Sequence, residues 1–398
     1  MRTPSGIDRV ELEYAKFTAS AGGVFVAQIS NRLAIVPTHL ASAAIDGLSK
    51  SWTSDQSNQS SLSSLIKVWK DQASSKQIYQ LLSYFKLLFQ GRCAPSLELK
   101  WLHDFPHADN DWYLNVGHTG IDNSGLFTYI RSNTKLRIAL YIHDVLPLTH
   151  PELFVEKEYS RHEARVLNAR QFSDKIFVNS FYTASQLSLR VGDLQPKVIE
   201  IGTFVHGGMS NEERRPIRRD FVSIGTIEPR KNYLWLVEQW LIFCEKNSNF
   251  VTNEKLRIFG RVGWMDEDEF SHLAHMARKM DKLEIVTDAT DFEIANALLN
   301  SRAYISASKV EGWGMPLAES LAVGTPVIAS DIDAHREVTQ GLAQYFSCSV
   351  PSQLHEALSA CFDAEVYENC LTRTKQFEPW SWATHFATLQ SELCKSSW

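Results

Sequence analysis

Residues 303–330 admit few folds. Apolar Ala303-Tyr-Ile-Ser-Ala307 reads as a short buried strand, and Ser308-Lys-Val-Glu-Gly-Trp-Gly-Met-Pro-Leu-Ala-Glu-Ser320 follows it as a glycine-bearing loop running into a helix. Pro316 suits the first turn of that helix, because its φ is preset and the N–H it lacks would be an orphan there. Gly324 fits the left-handed position that stops a helix, and Thr325-Pro-Val-Ile-Ala-Ser330 resumes as a strand. The helix between them is only about two turns long. A strand, loop, helix and strand packed this tightly imply a parallel sheet with helices on its faces.

The same run has the chemistry of an anion site. Gly312 and Gly314 let backbone N–H groups approach a ligand closely, and the free amides at a helix start carry roughly half a positive charge, which favours a diphosphate. Glu311 stands at the mouth of the loop and Glu319 follows eight residues later, inside the helix. A carboxylate accepts hydrogen bonds from paired hydroxyls, so Glu319 is placed to hold a ribose diol and Glu311 to face a sugar ring. Two glutamates at this spacing in an ordinary helix would be solvated; the glycines, proline and strands around this pair favour a binding site. In a second block, Phe221-Val-Ser-Ile-Gly-Thr-Ile-Glu-Pro-Arg-Lys-Asn232, the apolar start makes a strand, Gly225 turns it and Pro229 stiffens the loop. Arg230 and Lys231 then bring two cations to a place where a leaving diphosphate gathers charge.

These two blocks resemble the retaining glycosyltransferases of family 4: the first is similar to their E-x7-E signature, the second to the opening strand and Arg/Lys pair of their donor domain. The resemblance implies an α/β protein of GT-B fold, with two facing Rossmann-like domains, parallel sheets and a C-terminal helix crossing back to the first domain. It also implies catalytic roles for Glu311, Arg230 and Lys231, and donor contacts from Glu319, Gly312, Trp313, Gly314, Met315, Pro316 and Leu317. His143-Asp-Val-Leu-Pro-Leu-Thr-His-Pro-Glu152 follows the strand Leu136 to Ile142, and ligands of α/β enzymes sit at such strand ends. It resembles the family's H-D-x-x-P-L-x-x-P-E segment, which implies a catalytic contact of His143 to the transferred sugar or to the leaving oxygen, with Asp144 helping to orient the His143 ring. Ser5-Gly-Ile-Asp-Arg-Val-Glu-Leu-Glu-Tyr14 is similar to the family's G-G-I-x-R loop and first helix, so Gly6 is carried over as a donor contact, although too few residues precede it for the strand that feeds that loop. Leu256-Arg-Ile-Phe-Gly260 looks like another family strand, with Gly260 and Gly263 opening space near the nucleotide. In Asn179-Ser-Phe-Tyr-Thr183, Ser180 or Thr183 reads as a helix cap, and Asp291-Phe-Glu-Ile294 as a helix start.

At 398 residues the chain exceeds what one core usually serves. Strand-like runs at residues 111–117, 136–142, 175–179 and 197–202 fill the first half, and runs at 221–225, 256–260, 283–287, 303–307 and 326–329 fill the second. The expected division is an acceptor-side domain at 1–205, a linker at 206–219, a donor domain at 220–375 and a returning helix at 376–398. A net charge of -6 gives no reason to expect nucleic acid. Six cysteines without a C-x-x-C pair fit reduced thiols in a cytoplasm. No run of about eighteen apolar residues predicts a membrane span, and no leader is evident. Residues 49–64 are serine-rich and read as a loop, with a glycosylation sequon at Asn58. Leu65 to Arg92 interleaves Lys67, Lys70, Lys76, Lys86 and Arg92 with apolar residues, as a helix with a solvated basic face would, or as a peripheral contact at the inner face of the cell membrane.

The expected reaction moves a sugar, with retention, from a nucleotide diphosphate to a hydroxyl of a glycan or lipid-linked oligosaccharide. Resemblance to mannosyltransferases puts GDP-mannose first among donors. No cofactor is expected and no metal: Asp109-Asn-Asp111, Asp266-Glu-Asp268 and Asp331-Ile-Asp333 read as solvated turns, and the helix end with Arg230 and Lys231 supplies the positive charge. Two alternatives stay open: a non-catalytic subunit that binds sugar nucleotide, and an epimerase or phosphorylase on the same fold.

Overall fold

A computed structural model describes residues 5–53, 100–106, 108, 111–192, 195–204 and 218–395. The sequon, the basic run at 65–92, Cys93 and most of the expected linker lie outside the described residues. Ser49 to Thr53 of the serine-rich stretch belong instead to a helix, Thr38–Thr53, which buries Leu40, Ala41 and Ala44 on one face.

Two parallel sheets organise the described residues. The first has the order β3-β4-β5-β6, from Trp112–Asn115, Arg137–Ile142, Lys175–Val178 and Lys197–Val198. An antiparallel hairpin, β1 (Phe25–Ile29) with β2 (Arg32–Val36), precedes it. The second sheet has six strands in the order β12-β11-β10-β7-β8-β9, from β7 (Phe221–Ile224), β8 (Leu256–Phe259), β9 (Leu283–Val286), β10 (Ala303–Ser306), β11 (Val327–Ser330) and β12 (Gln344–Phe346). That order runs outward in both directions from the neighbours β7 and β10, and a crevice opens at such a reversal beyond the carboxyl ends of the two strands. The two sequence blocks hang from these two ends, which is why residues 80 positions apart meet there.

Strands buried on both faces read as continuous apolar runs, and Phe221, Ala303, Ile305 and Ile328 are each at most 1% exposed. Trp240 of the helix Tyr233–Lys246 packs on Phe221 with ring centroids 5.1 Å apart. Full burial of a side chain such as Phe221 contributes about 1.5–3 kcal/mol.

The last helix, Trp382–Cys394, returns to the first sheet. Phe386 stacks on Phe17 at 4.1 Å, His385 Nε2 lies 2.7 Å from the Tyr14 hydroxyl, and Trp112 Nε1 donates to the Leu393 carbonyl at 3.1 Å. Gly202 faces the Trp382 ring so closely that an added Cβ would stand 2.4 Å from it. The strap therefore ties the C-terminal segment to the first sheet through aromatic packing.

Candidate active site

The loop 307–314 leaves β10 and ends at Gly314, whose φ of +99° a side chain would disfavour. The helix Met315–Ala322 starts there with Pro316 in its first turn, and Gly324 ends the connection at φ +69°. From β7 the chain makes a short 3-10 turn, Pro229–Lys231, and Asn232 takes the left-handed conformation that asparagine tolerates before the next helix begins.

These two loops assemble one charge cluster. Arg230 Nη1 donates to Glu311 Oε2 at 2.5 Å, Lys231 Nζ donates to Oε1 at 2.5 Å, and Ser308 Oγ donates to Oε1 at 2.8 Å. Glu228 lies 2.5 Å from Arg230 Nε, so the guanidinium bridges two carboxylates. Glu311 is 5% exposed. Burial alone would raise its pKa, but the charges of Arg230 and Lys231 outweigh that and hold the carboxyl well below the usual carboxylate range. Beneath the loop, His335 Nδ1 donates to the Ser330 carbonyl at 2.9 Å, and burial pushes its pKa down to about 4, so it is neutral near pH 7.

The first sheet meets this cluster face to face. Gly312 lies on the His143-Asp144 backbone, where an added Cβ would stand 2.8 Å from Asp144 Cβ and 2.9 Å from the His143 carbonyl oxygen. Ser180 Oγ donates to the Gly312 carbonyl at 2.8 Å while accepting from the Thr183 amide at 3.0 Å, so it caps its helix and also clamps the loop. Glu337 accepts from the Phe181 and Tyr182 amides at 2.7 and 3.2 Å, covering that helix start from the other side. Sequence alone reads Ser180 as a cap; its contact with a loop 132 residues later carries no local signal.

His143 sits at the end of β4, 4% exposed, and burial lowers its pKa. Its Nε2 lies 2.8 Å from the Val116 carbonyl, which only accepts, so Nε2 holds the proton and Nδ1 is the acceptor. Asp144 Oδ1 accepts from the Leu146 amide at 3.2 Å and caps the following turn, and its charge acts on the His143 ring beside it.

The residues expected to contact a donor divide by what their side chains do. Trp313 packs on Trp380 at 4.9 Å and Leu317 is 1% exposed, so both side chains belong to the core, and only their backbone faces the loop. Met315 touches Gly6, where an added Cβ would stand 2.2 Å from its terminal carbon. Gly260 packs against the Gly225 carbonyl, at 1.8 Å from where a Cβ would stand, so its role is close strand packing at the ends of β7 and β8. Glu319, 4% exposed, lies 3.8 Å from Arg9 Nη1, and Arg9 Nη2 donates to Asp291 at 2.5 Å. Arg9 thus links the first helix, Gly6–Ser20, to two acids of the second half, a role sequence reasoning missed although the residue stands inside the G-I-x-R segment. The helix start at 291 is capped by Thr290 with Glu293, leaving Asp291 for Arg9.

Two of the acidic triplets have local duties, and Asp109 and Asn110 of the third lie outside the described residues. Asp266 caps the helix Glu267–Lys279, and Asp331 pairs with Arg336 at 2.6 and 2.8 Å. The five described cysteines are free thiols. No helix among the described residues is long and apolar enough to cross a membrane.

Residues 210–363 match the family described as Glycosyl transferases group 1. The serotype-specific mannosyltransferase WbdA of Escherichia coli is 25% identical over 237 residues, which is 54% of this chain and 29% of that protein. The O-antigen chain mannosyltransferase RfbU of Salmonella typhimurium is 22% identical over 212 residues, covering 51% of this chain and 55% of the relative. The chain therefore spans less than a third of the first of these relatives and about half of the second. Among solved structures, Anabaena HepE in complex with UDP and glucose has a TM-score of 0.56 at 14% identity, covering 74% of this chain and 79% of HepE. The α,α-trehalose-phosphate synthase (UDP-forming) of Burkholderia vietnamiensis has a TM-score of 0.53 at 10% identity, covering 67% and 71%. Residues 210–363 thus carry the likeness to glycosyl transferases group 1, the fold is GT-B, and O-antigen chain mannosyltransferases are among the chain's relatives.

Proposed function

We propose that this chain is a retaining glycosyltransferase that moves a mannosyl group from GDP-mannose to a hydroxyl of a glycan or lipid-linked oligosaccharide. The observation that carries this reading is the meeting of Arg230, Lys231 and Glu311 at the ends of β7 and β10, directly before the helix Met315–Ala322. A diphosphate at that helix start draws on its free amides and on both cations, and each gains strength as the bond to the sugar breaks. Sharing the cations with a diphosphate also releases Glu311 oxygens to accept hydrogen bonds from sugar hydroxyls. Retention follows if the acceptor hydroxyl enters on the side the diphosphate leaves, with no enzyme nucleophile. Two cations and a helix start provide the charge that a metal provides elsewhere, which favours metal-independent transfer.

Mannose as the sugar rests on the relatives WbdA and RfbU, both mannosyltransferases. The acceptor class puts the reaction at the cytoplasmic face of the cell membrane, with the basic run at 65–92 as the contact.

Glu319 holds the ribose diol in this reading. Glu319→Gln then weakens GDP binding by roughly tenfold or more, the loss of one charged hydrogen bond, with little change in turnover at saturation. Calorimetric titration with GDP, UDP and dTDP measures this and names the nucleotide. Equal affinity of the variant and the parent for the preferred nucleotide would remove Glu319 from the donor site.

A further inference from the structure

The first helix borders the seam between the two sheets along one face. Gly6 abuts Met315, Arg9 reaches Glu319 and Asp291, and Glu11 reaches the loop after β3. Glu11 lies so close to Gly117 that a Cβ on that glycine would stand 1.6 Å from Glu11 Oε1. The next residue, His118, has its ring 5.4 Å from that of His143, and its Nε2 lies 3.4 Å from the His143 amide. The Glu11 carboxylate therefore stands at the carboxyl end of β3, on the acceptor side, beside the pair of histidines that closes on the donor loop.

We propose, resting on the glycosyltransferase reading above, that Glu11 is the acceptor-side catalytic carboxylate, which receives the hydrogen bond of the incoming hydroxyl and then its proton. In the step it serves, the acceptor oxygen bonds to the anomeric carbon and the bond from that carbon to the diphosphate breaks. The electron pair leaves with the diphosphate, and the hydroxyl proton passes to Glu11.

Two observations separate this residue from an ordinary helix glutamate. No cation and no hydrogen-bond donor among the described residues meets its carboxylate. Burial, helped by the negative charge of Asp8 one turn earlier, pushes its pKa up to about 7, which is where a general base works best near neutrality. On the same side of the seam, burial lowers the pKa of His118 and His143 and keeps both neutral, so Asp8 is the charge that acts on Glu11. Asp8 itself is fixed by the capping box with Ser5. A carboxyl whose folded pKa lies above its unfolded one lowers stability as pH rises through that interval, so Glu11 works against folding at neutral pH.

The test uses the full chain, a mannosyl donor and an accepted glycan. Glu11→Gln is expected to lower transfer by about 10²- to 10⁴-fold while donor affinity stays within about twofold. The wild-type rate should fall on the acid side of about pH 7, that limb should move to lower pH in Asp8→Asn, and it should vanish from the residual rate of Glu11→Gln. The melting temperature of Glu11→Gln at about pH 8 should equal or exceed that of the wild type, which a structural glutamate would not show. Transfer by Glu11→Gln within about threefold of wild type, or an unchanged acid limb in that variant, would overturn the assignment and leave the glycosyltransferase reading standing. Absence of transfer by the wild type itself would remove both.

Discussion

Replacing Glu311 with glutamine should lower turnover by about two orders of magnitude or more, the loss typical of removing one charged group matched to the transition state. The argument starts from its neighbours. Arg230 and Lys231 each lie 2.5 Å from Glu311, with side chains 19% and 10% exposed, so the carboxylate neutralises two nearly buried cations and fixes where they point. Glutamine keeps the shape, loses the charge and donates where the carboxylate accepts from Ser308 and Lys231. Removing one partner of a buried ion pair costs about 3–5 kcal/mol. Here Glu228 remains on Arg230 and limits that loss, so a folded variant is expected. Circular dichroism should report native structure while steady-state release of nucleotide falls. A folded Glu311→Gln with turnover within about threefold of wild type would remove Glu311 from the chemistry.

Gly312→Ala should lower turnover by about a hundredfold through geometry alone. The new methyl would stand 2.8 Å from Asp144 Cβ and 2.9 Å from the His143 carbonyl, neither of which is the end of a flexible chain. The loop or the facing segment must retreat, and the Ser180 bond to the Gly312 carbonyl lengthens with it. Catalytic groups displaced by about 1 Å lose about two orders of magnitude in rate, whereas Glu319 and the amides of the helix Met315–Ala322, on which nucleotide binding mainly draws, lie beyond the clash. Turnover should therefore fall with GDP affinity within about threefold of wild type. Equal loss of both would show that the substitution unfolds the loop and does not merely part the two faces.

Much of the second half is legible in the amino-acid order alone. Its strands are short, largely apolar runs, bounded at β7, β8 and β11 by Gly225, Gly260 and Pro326, and those runs form β7 to β11. The donor loop is legible because Gly314, Pro316 and Gly324 each satisfy a backbone demand that few residues meet, at φ +99°, in the first helical turn and at φ +69°. β12 escapes a sequence reading because Gln344–Phe346 is three residues long. The hairpin of β1 and β2 escapes it because Ser30 and Asn31 connect the strands without a glycine, Ser30 itself taking φ +53°. Beyond Lys197–Val198 the expected strand at 197–202 stops, and residues 199–202 run on to meet the returning helix.

The site divides along the same line. Arg230, Lys231 and Glu311 come together because each sits at the end of a recognisable strand, and neighbouring strands bring their ends together. Contacts between the two halves have no local signal: Arg9 and Asp291 are 282 residues apart, and nothing in either segment names the other. Glu11 is hidden for a different reason. A glutamate on an amphipathic helix reads as solvated, and only the close approach of Gly117 shows that this one is turned inward.

Nucleotide release in the presence of EDTA, measured for GDP-mannose, dTDP-rhamnose, UDP-glucose and UDP-N-acetylglucosamine with Glu311→Gln as control, tests the central claim most directly. The account predicts release from one donor, GDP-mannose, that rises when an accepted glycan is added and disappears in the variant. Tight binding of a sugar nucleotide with no release from any donor, with or without glycan, would contradict it and make the chain a binding subunit.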